Sequence, residues 1–302
     1  MVMRVATFAL SDQMIAGALR TQAIMANEQV QESSGLKSED FSGYGADTQR
    51  VVDLQVSVTR AQSYIDSATL ADSKVQVMYS AVGSMTDLIT QLRSQLSAAT
   101  TGSSTETASV ISSAQQMLQE MGSLLNTKYD GQYVFGGGDT ATEPADMTSF
   151  SSGTGSLTTA DTSYYKGDGE TASVRVGDDQ TVSYGVNADN SAFEQTMRVL
   201  KYVANSSTLS SSDITQALDL ASSALDATSI VQSKLSSSAS QIEAASSRQT
   251  DYQSYAQTLS GDLTNVDVAA VTAQISTYQA QLSASYSAIA KIQGLSLASY
   301  LK

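Results

Sequence analysis

The most regular feature of this chain is an apolar residue that recurs alternately three and four positions apart. Between residues 75 and 99 these positions are Val75, Met78, Val82, Met85, Ile89, Leu92, Leu96 and Ala99. Upstream, with one irregularity near Ala71, the same spacing holds for Val51, Leu54, Val58, Ala61, Ile65 and Ala68. Such spacing lines one face of a helix with apolar side chains and is typical of coiled coils. The sequence therefore predicts long helical structure across residues 51–99.

The C-terminal part of the chain carries the same pattern. One stretch contains Ile214, Leu218, Ala221, Leu225 and Thr228, and a second contains Ile242, Ala245, Gln249, Tyr252, Ala256 and Leu259. The last stretch contains Val268, Val271, Ile275, Tyr278, Leu282, Ser285, Ile289 and Ile292. It predicts a helix over 268–300, which would be about 50 Å long at 1.5 Å per residue. Shorter amphipathic helices are predicted at 110–125 and 193–203.

The pattern changes to a period of two in the centre of the chain. Apolar residues alternate with polar ones at 174–176 and again at 182–186, and Gly177-Asp178-Asp179-Gln180 lies between them, which predicts a hairpin. Residues 129–135 predict a further strand. Because an isolated hairpin is marginally stable in water, we expect at least three or four strands, packed on each other or on the helices.

These patterns predict a mainly α fold in which helices flank a small central β region. A helix with an apolar face cannot bury that face alone, so the two helical halves must pack together. A terminal helix frays unless it is docked. The C-terminal helix therefore needs a partner, which is either the N-terminal segment around Phe8, Ile15, Leu19 and Ile24 or another subunit.

Composition excludes most catalytic chemistry. The 302 residues include no His, Cys or Trp and only one Pro, Pro144. Without imidazole or thiol groups, the Ser-His-Asp and Cys-His mechanisms and the usual zinc sites are impossible. We therefore predict that the chain is not an enzyme and that it carries no cofactor or metal.

The net charge of −14 narrows the possible partners. Residues 129–190 contain ten acidic and two basic residues and so carry −8 of it. No Lys or Arg cluster is present, which argues against nucleic acid and against an anionic membrane surface. No apolar run approaches the roughly 20 residues that span a bilayer, and the first ten residues do not form a convincing secretory signal.

Two features of the central region are considered as binding sites. The first, Gly136-Gly137-Gly138-Asp139, lacks the Lys-Ser or Lys-Thr of a phosphate-binding loop and is interpreted as a turn. The second is a group of acidic residues, Asp161, Asp168, Glu170, Asp178 and Asp179. Their carboxylates are suitable ligands for calcium, and a pair of carboxylates can also catalyse glycoside hydrolysis. An acidic, solvated turn surface is the interpretation we favour.

Several motifs resemble members of the flagellin family. Residues 282–301, Leu-Ser-Ala-Ser-Tyr-Ser-Ala-Ile-Ala-Lys-Ile-Gln-Gly-Leu-Ser-Leu-Ala-Ser-Tyr-Leu, resemble the C-terminus of its hook-associated members. Ser33-Ser34-Gly35-Leu36-Lys37 resembles the family's N-terminal Ser-Gly motif. Residues 129–137, Tyr-Asp-Gly-Gln-Tyr-Val-Phe-Gly-Gly, resemble the segment that leads into its variable domain, and residues 165–170 resemble a following motif.

The sequence departs from the family pattern at two places. Flagellin usually has an Ala-Asn-Gln-like segment near its end, and residues 285–288 read Ser-Tyr-Ser-Ala instead. This favours a hook-associated member over a filament subunit. The usual Asp-Asp-Pro after the Ser-Gly motif is replaced by residues 41–47, Phe-Ser-Gly-Tyr-Gly-Ala-Asp, which changes the local loop.

The resemblance implies a fold in three parts. Residues 1–45 and 262–302 would form a terminal coiled-coil assembly domain of antiparallel helices. Residues 46–128 and 191–261 would form a helical bundle, and residues 129–190 an acidic, β-rich surface insertion.

The resemblance also implies a function as a structural adaptor between flagellar hook and filament, with no catalysis. The chain would self-associate in a ring and contact a neighbouring hook-associated protein and flagellin. It would use a flagellar export chaperone and the type III export apparatus, and would lie outside the cell without a cleaved signal peptide. We expect the assembly residues to be Phe8, Ile15, Leu19, Val271, Ile275, Tyr278, Leu282, Tyr286, Ile289, Ile292, Leu295, Leu297, Tyr300 and Leu301.

Two alternatives remain open at this point. Within the family, the chain could be a filament subunit. In a different class, the acidic β region could be a carbohydrate- or calcium-binding module at the cell surface.

Overall fold

The computed structural model describes residues 2–100 and 104–294, apart from the side chains of residues 2–8, 10, 149, 293 and 294. The helices are α1 (Val2–Ser34), α2 (Thr48–Ala99), α3 (Ser104–Leu125), α4 (Met147–Phe150), α5 (Ser191–Asn205), α6 (Ser211–Thr264) and α7 (Val268–Gly294). A 3-10 helix covers Phe41–Asp47, and the strands are β1 (Lys128–Tyr129), β2 (Gln132–Tyr133), β3 (Ser173–Arg175) and β4 (Thr181–Ser183). The predicted mainly α class with a small β part is confirmed.

The chain divides into two compact units. The terminal unit contains residues 1–59 and 253–302, and the central unit contains residues 60–252. The main hydrophobic core of the described residues lies in the central unit, between Ala68 and Ala245. The finer division into three domains remains a prediction.

The apolar pattern of α2 is buried as predicted. All eight residues from Val75 to Ala99 that follow the three-four spacing are at most 4% exposed. Upstream, Val51, Ala61 and Ala68 are buried, and the intervening members of the pattern are half-buried. The spacing alone therefore identified the face of α2 that packs inward.

Helix α6 is a single helix of 54 residues rather than two separate stretches. Its buried face continues between them through Val231, Leu235 and Ser238. The apolar pattern did not predict this continuity, because the polar residue Ser238 occupies one of the buried positions. The Ser238 hydroxyl donates to the backbone oxygen of Ser183 at 3.3 Å. Tyr252, which was expected on this face, is instead 48% exposed.

The predicted hairpin over 174–186 is confirmed. Strands β3 and β4 are antiparallel, and Val174 pairs with Val182. Asp178 at its tip accepts hydrogen bonds from the Tyr64 hydroxyl at 2.9 Å and from Arg60 at 3.2 Å, both on α2. On the other side, the Gln249 amide of α6 donates to the backbone oxygen of Val176 at 3.1 Å. The hairpin is therefore attached to both long helices of the central unit.

The single strand predicted over 129–135 is wrong. The segment folds back on itself as the hairpin β1–β2, with positive φ angles of 49° at Asp130 and 75° at Gly131. Asp-Gly is a favoured dipeptide for a two-residue hairpin turn with these angles. The four strands form two separate pairs and not one sheet. They pack towards the helices, where the ring of Phe135 lies 5.7 Å from that of Phe193 on α5.

Candidate assembly surface

The two terminal helices, α1 and α7, pack against each other in the terminal unit. They run antiparallel, because α7 begins beside the residues at which α1 ends. On α7, the buried residues are Val271, Ile275 and Leu282, and Tyr278, Ile289 and Ile292 are half-buried. The apolar face of α7 is thus the face that meets α1.

The face that α1 presents to α7 has few large apolar side chains. Among the described side chains of α1, the buried and half-buried ones are Ser11, Met14, Ala18, Thr21, Met25, Glu28, Gln31 and Glu32, and all but Gln31 follow three-four spacing. Of these, Ala18 alone is fully buried. The hydroxyl of Thr272 on α7 donates to a carboxylate oxygen of Glu32 at 2.7 Å. The described part of this face therefore has Met14, Ala18 and Met25 as its apolar residues and no Leu, Ile, Val or aromatic side chain.

The described Leu, Ile and Val side chains of α1 are exposed to solvent. Ile15, Leu19, Ile24 and Val30 are between 38% and 60% exposed. At about 100° per residue, Ile15, Leu19 and Val30 fall on one side of the helix, next to the side that faces α7. We call these three residues the α1 stripe. The α1 stripe is therefore an exposed apolar surface on a helix that packs against α7 through a different side.

The end of α1 and the start of α7 are joined by a short backbone pairing. The Lys37 amide donates to the Thr264 oxygen at 2.8 Å, and the Val266 amide donates to the Gly35 oxygen at 2.9 Å. Gly35 has a φ of 72° and terminates α1, a conformation that glycine adopts without steric cost. We call this pairing of residues 35–37 with 264–266 the clasp.

Charged side chains reinforce the clasp at two helix ends. The Lys37 ammonium donates to the backbone oxygens of Leu263 at 2.7 Å and Asp262 at 3.3 Å, in the last turn of α6. At the start of α7, the Asp267 carboxylate accepts from the amides of Ala269 and Ala270 at 3.0 and 3.1 Å. The positive charge lies at the C-terminal end of α6 and the negative charge at the N-terminal end of α7, so each interacts favourably with the helix dipole. Through its backbone pairing, the clasp sets the register of α1 against α7.

The structure separates the predicted assembly residues into two groups. Val271, Ile275, Tyr278, Leu282, Ile289 and Ile292 lie in or beside the pairing of α7 with α1, whereas Ile15, Leu19 and Tyr286 are exposed. Leu295, Leu297, Tyr300, Leu301 and the side chain of Phe8 lie outside the described residues. Val30 was missed, although it follows Leu19 by three helical turns on the same side.

Three acidic residues of the central region, Asp161, Asp168 and Asp178, form polar contacts within the protein. Asp161 lies 2.8 Å from the Lys201 ammonium, and Asp168 accepts from the Gly138 amide at 2.7 Å. Asp178 holds the hairpin tip to α2. Among the described residues, no three or more acidic side chains are grouped so that they could hold a metal ion. These carboxylates organise loops, which supports the interpretation of an acidic turn surface.

Within the described part of the chain, none of the helices combines the length and apolar character that crossing a membrane requires.

Comparisons with known proteins found one matching family model and several similar solved structures. Residues 5–140 match the family model described as the bacterial flagellin N-terminal helical region. A putative flagellar hook-associated protein from Vibrio parahaemolyticus is structurally similar, with a TM-score of 0.60 and 12% identity, over 75% of this chain and 99% of that chain. No curated protein matches the sequence significantly.

Two further solved structures share lower similarity. Bacillus cereus FlgL gives a TM-score of 0.42 at 13% identity, over 80% of this chain and 99% of that chain. Flagellar hook associated protein-3 from Legionella pneumophila gives 0.45 at 13% identity, over 72% of this chain and 97% of that chain. The Vibrio parahaemolyticus structure supports a shared fold; the identities are too low to transfer more than that.

Proposed function

We propose that this chain, whose residues 5–140 match the model of the bacterial flagellin N-terminal helical region, is a structural adaptor which joins the flagellar hook to the filament. Subunits associate in a ring through their terminal helices and contact a neighbouring hook-associated protein on one side and flagellin on the other. The chain reaches this position outside the cell with an export chaperone and the type III export apparatus. It performs no catalysis.

The observation that carries this proposal is the exposed α1 stripe. An isolated helix pair would be expected to bury its branched apolar residues, yet the described part of α1 faces α7 with Met14, Ala18 and Met25 and keeps Ile15, Leu19 and Val30 in solvent. Burying such side chains on association contributes about 25 cal/mol for each Å² of apolar surface. Exposed apolar surface commonly serves protein association, and we assign that role to the α1 stripe. Summed over the subunits of a ring, these contacts provide the mechanical strength that an adaptor needs.

A truncation tests the assembly role. We expect deletion of residues 289–302 to abolish assembly and motility in the bacterium that encodes the chain. The central unit, which contains the main core of the described residues, should stay folded, with its far-UV circular dichroism and cooperative unfolding retained. Normal flagella built from the truncated subunit would contradict the proposal.

A point substitution tests the α1 stripe itself. Leu19→Glu places a charge in the surface that would be buried between subunits, and we expect assemblies to be lost from the pellet after ultracentrifugation. Gln13→Glu introduces the same charge on α1, at an exposed position outside the stripe, and should leave assembly intact. Equal loss in both variants would show that net charge, and not the stripe, controls assembly.

A filament subunit is the alternative, because the matching family model describes flagellin itself. Electron microscopy of the purified chain separates the two functions. A filament subunit should form long filaments alone under polymerising conditions, whereas a junction adaptor should not.

A further inference from the structure

The terminal unit contains a groove that lies apart from the pairing of α1 with α7. It lies between the segment after α1, the first turns of α2 and the last turns of α6, and has a volume of about 520 Å³. Its apolar wall includes Leu36, Phe41, Val51 and Val58. Val51 is buried at the base, and Phe41 is 50% exposed at the rim. We call it the Phe41 groove.

The 3-10 helix holds Phe41 in a defined position. The Tyr44 hydroxyl donates to the Ser38 backbone oxygen at 2.6 Å, and the Thr48 hydroxyl donates to the Phe41 oxygen at 2.8 Å. Gly43 packs so closely on Ser38 that a Cβ atom there would overlap the serine side chain. Val52 and Val56, next to the groove-lining face of α2, are also exposed. The apolar surface of the groove is therefore preformed and extends beyond its rim.

The surroundings of the groove are acidic. Residues 36–58 and 253–267 together contain six acidic and two basic residues, a net charge of −4. Both bases are engaged, Lys37 with backbone oxygens of α6 and Arg50 with Asp47 at 3.4 Å. Glu39 lies in the groove lining itself. The groove thus favours an occupant that is both apolar and positively charged.

The C-terminal segment of this chain has that chemistry. Residues 268–302 contain two bases, Lys291 and Lys302, and no acid. Between these lysines the sequence carries Ile292, Leu295, Leu297, Tyr300 and Leu301. Apolar groups and positive charge are therefore combined within residues 291–302.

This segment cannot reach the groove of its own chain. Asn265, which lines the groove, is three residues before the start of α7. The 27 residues of α7 carry the chain about 40 Å away from that point, at 1.5 Å per residue. The eight residues that follow span at most about 29 Å when fully extended. Any occupant with this sequence must therefore belong to another molecule.

We propose that the Phe41 groove receives residues 291–302 of a second copy of this chain. The proposal rests on the proposed function only in that both require self-association. Apolar side chains of the segment pack on Phe41 and Val58, and its lysines lie near Glu39 and the surrounding carboxylates. This contact links the far end of one α1–α7 pair to the clasp end of the next.

Engineered cysteines can test this contact directly, because the chain contains no Cys. One copy carries Gln55→Cys in the groove lining, and a second copy with a different tag carries Ser299→Cys. After assembly and mild oxidation, we expect a disulfide-linked dimer that contains both tags, since a disulfide needs Cβ atoms within roughly 4.5 Å. Thr90→Cys, exposed on α2 in the central unit, replaces Gln55→Cys as the control and should give no such dimer.

A peptide-binding measurement tests the same contact without assembly. A fluorescent peptide of residues 288–302 should bind the full-length chain, as measured by anisotropy. Glu39→Lys should weaken binding by roughly two- to fivefold, the upper part of the range for one exposed charge pair, and Lys302→Glu in the peptide should restore part of the loss. Asp87→Lys, an exposed change on α2 in the central unit, should have no effect.

The outcomes separate the two proposals. Assemblies that form without the mixed dimer overturn the groove contact and leave the adaptor function standing. If no assembly forms, the adaptor function is contradicted, and the groove contact is then tested by peptide binding alone. Binding that depends on Glu39 supports the groove contact, and absence of binding overturns it.

Discussion

Hydroxyl side chains occupy two buried positions of α6, of which the sequence pattern included Thr228 and missed Ser238. The buried Thr228 donates its hydroxyl hydrogen to the Ala224 backbone oxygen at 2.7 Å. Ser238 is likewise buried and bonded to the oxygen of Ser183. Once the hydroxyl is hydrogen-bonded, such a side chain can be buried without leaving an unpaired polar group. A serine in an apolar pattern therefore does not mark its end.

Leu92 and Leu70 make a matched pair on α2. Leu92 is fully buried and Leu70 is half exposed. We expect Leu92→Ala to lower the free energy of unfolding by about 2–5 kcal/mol, through lost burial and the cavity left behind. Leu70→Ala should cost less than about 1 kcal/mol. Urea denaturation followed by circular dichroism measures both, and equal effects would contradict the assignment of the buried face.

Gly137 is a second residue whose identity is dictated by its surroundings. It has a φ of 77°, and a Cβ atom there would overlap the Asp168 side chain. The positive φ alone costs another residue roughly 1–2 kcal/mol, so Gly137→Ala should destabilise the central unit clearly. Gly169, in the same region, has open space around it and no positive φ, and Gly169→Ala should be nearly neutral. Thermal unfolding of the two variants provides the comparison.

At the scale of elements, one carboxylate, that of Asp178, accepts the hydrogen bonds that join the tip of the β3–β4 hairpin to α2. The hydrogen bond from Tyr64, followed by that from Arg60, holds the pKa of Asp178 below its ordinary value. A lowered pKa in the folded state means that this attachment is complete above the ordinary value of about 4 and is lost as the pH falls through the lowered one.

Hydrogen exchange at the hairpin should report this pH dependence. We expect the amides of residues 174–182 to lose protection below about pH 4, after correction for intrinsic exchange rates. At neutral pH, Asp178→Asn should produce the same local loss, while the adjacent Asp179→Asn should not. Unchanged protection in Asp178→Asn would show that Gln249 on α6 is sufficient to hold the hairpin.

The α1–α7 pair depends on a few apolar residues, because the described part of the facing side of α1 has only Met14, Ala18 and Met25 as apolar side chains. Ile275→Ala removes one of the buried residues of α7, and we expect it to destabilise the pair by roughly 2 kcal/mol or more. Faster hydrogen exchange should follow in both α1 and α7. Val268→Ala, on the same helix but exposed, is the control and should leave exchange unchanged.

For the whole molecule, the distribution of buried residues predicts unequal stability. The main core of the described residues belongs to the central unit, and the terminal helix pair has only a narrow buried face. A helix without extensive packing gains little from intrinsic propensity. In the monomer we therefore expect the amides of α1 and α7 to exchange faster than those of residues 75–99. Uniformly slow exchange in the terminal helices would contradict this and would indicate that they need no partner subunit.

The periodic elements of this protein could be predicted from sequence because their information is local. The buried face of α2, the limits of the β3–β4 hairpin and the start of α7 all follow from residue spacing and turn residues. The segment 129–135 could not be resolved as a hairpin from its apolar pattern, although the Asp-Gly pair contained the signal. Tyr252 was misplaced because an aromatic residue fits the spacing of a buried face whether or not a neighbouring element covers it.

The sequence by itself determined that this protein consists of long helices with apolar faces around a small acidic β region, without imidazole or thiol chemistry. Only the tertiary structure decided which apolar residues are covered. Helix α1 has apolar residues on more than one side, and spacing alone does not choose between them. The choice is made by the clasp, where residues 35–37 meet residues 264–266 across more than two hundred positions of the chain. That long-range pairing sets the register of α7 on α1 and leaves Ile15, Leu19 and Val30 exposed.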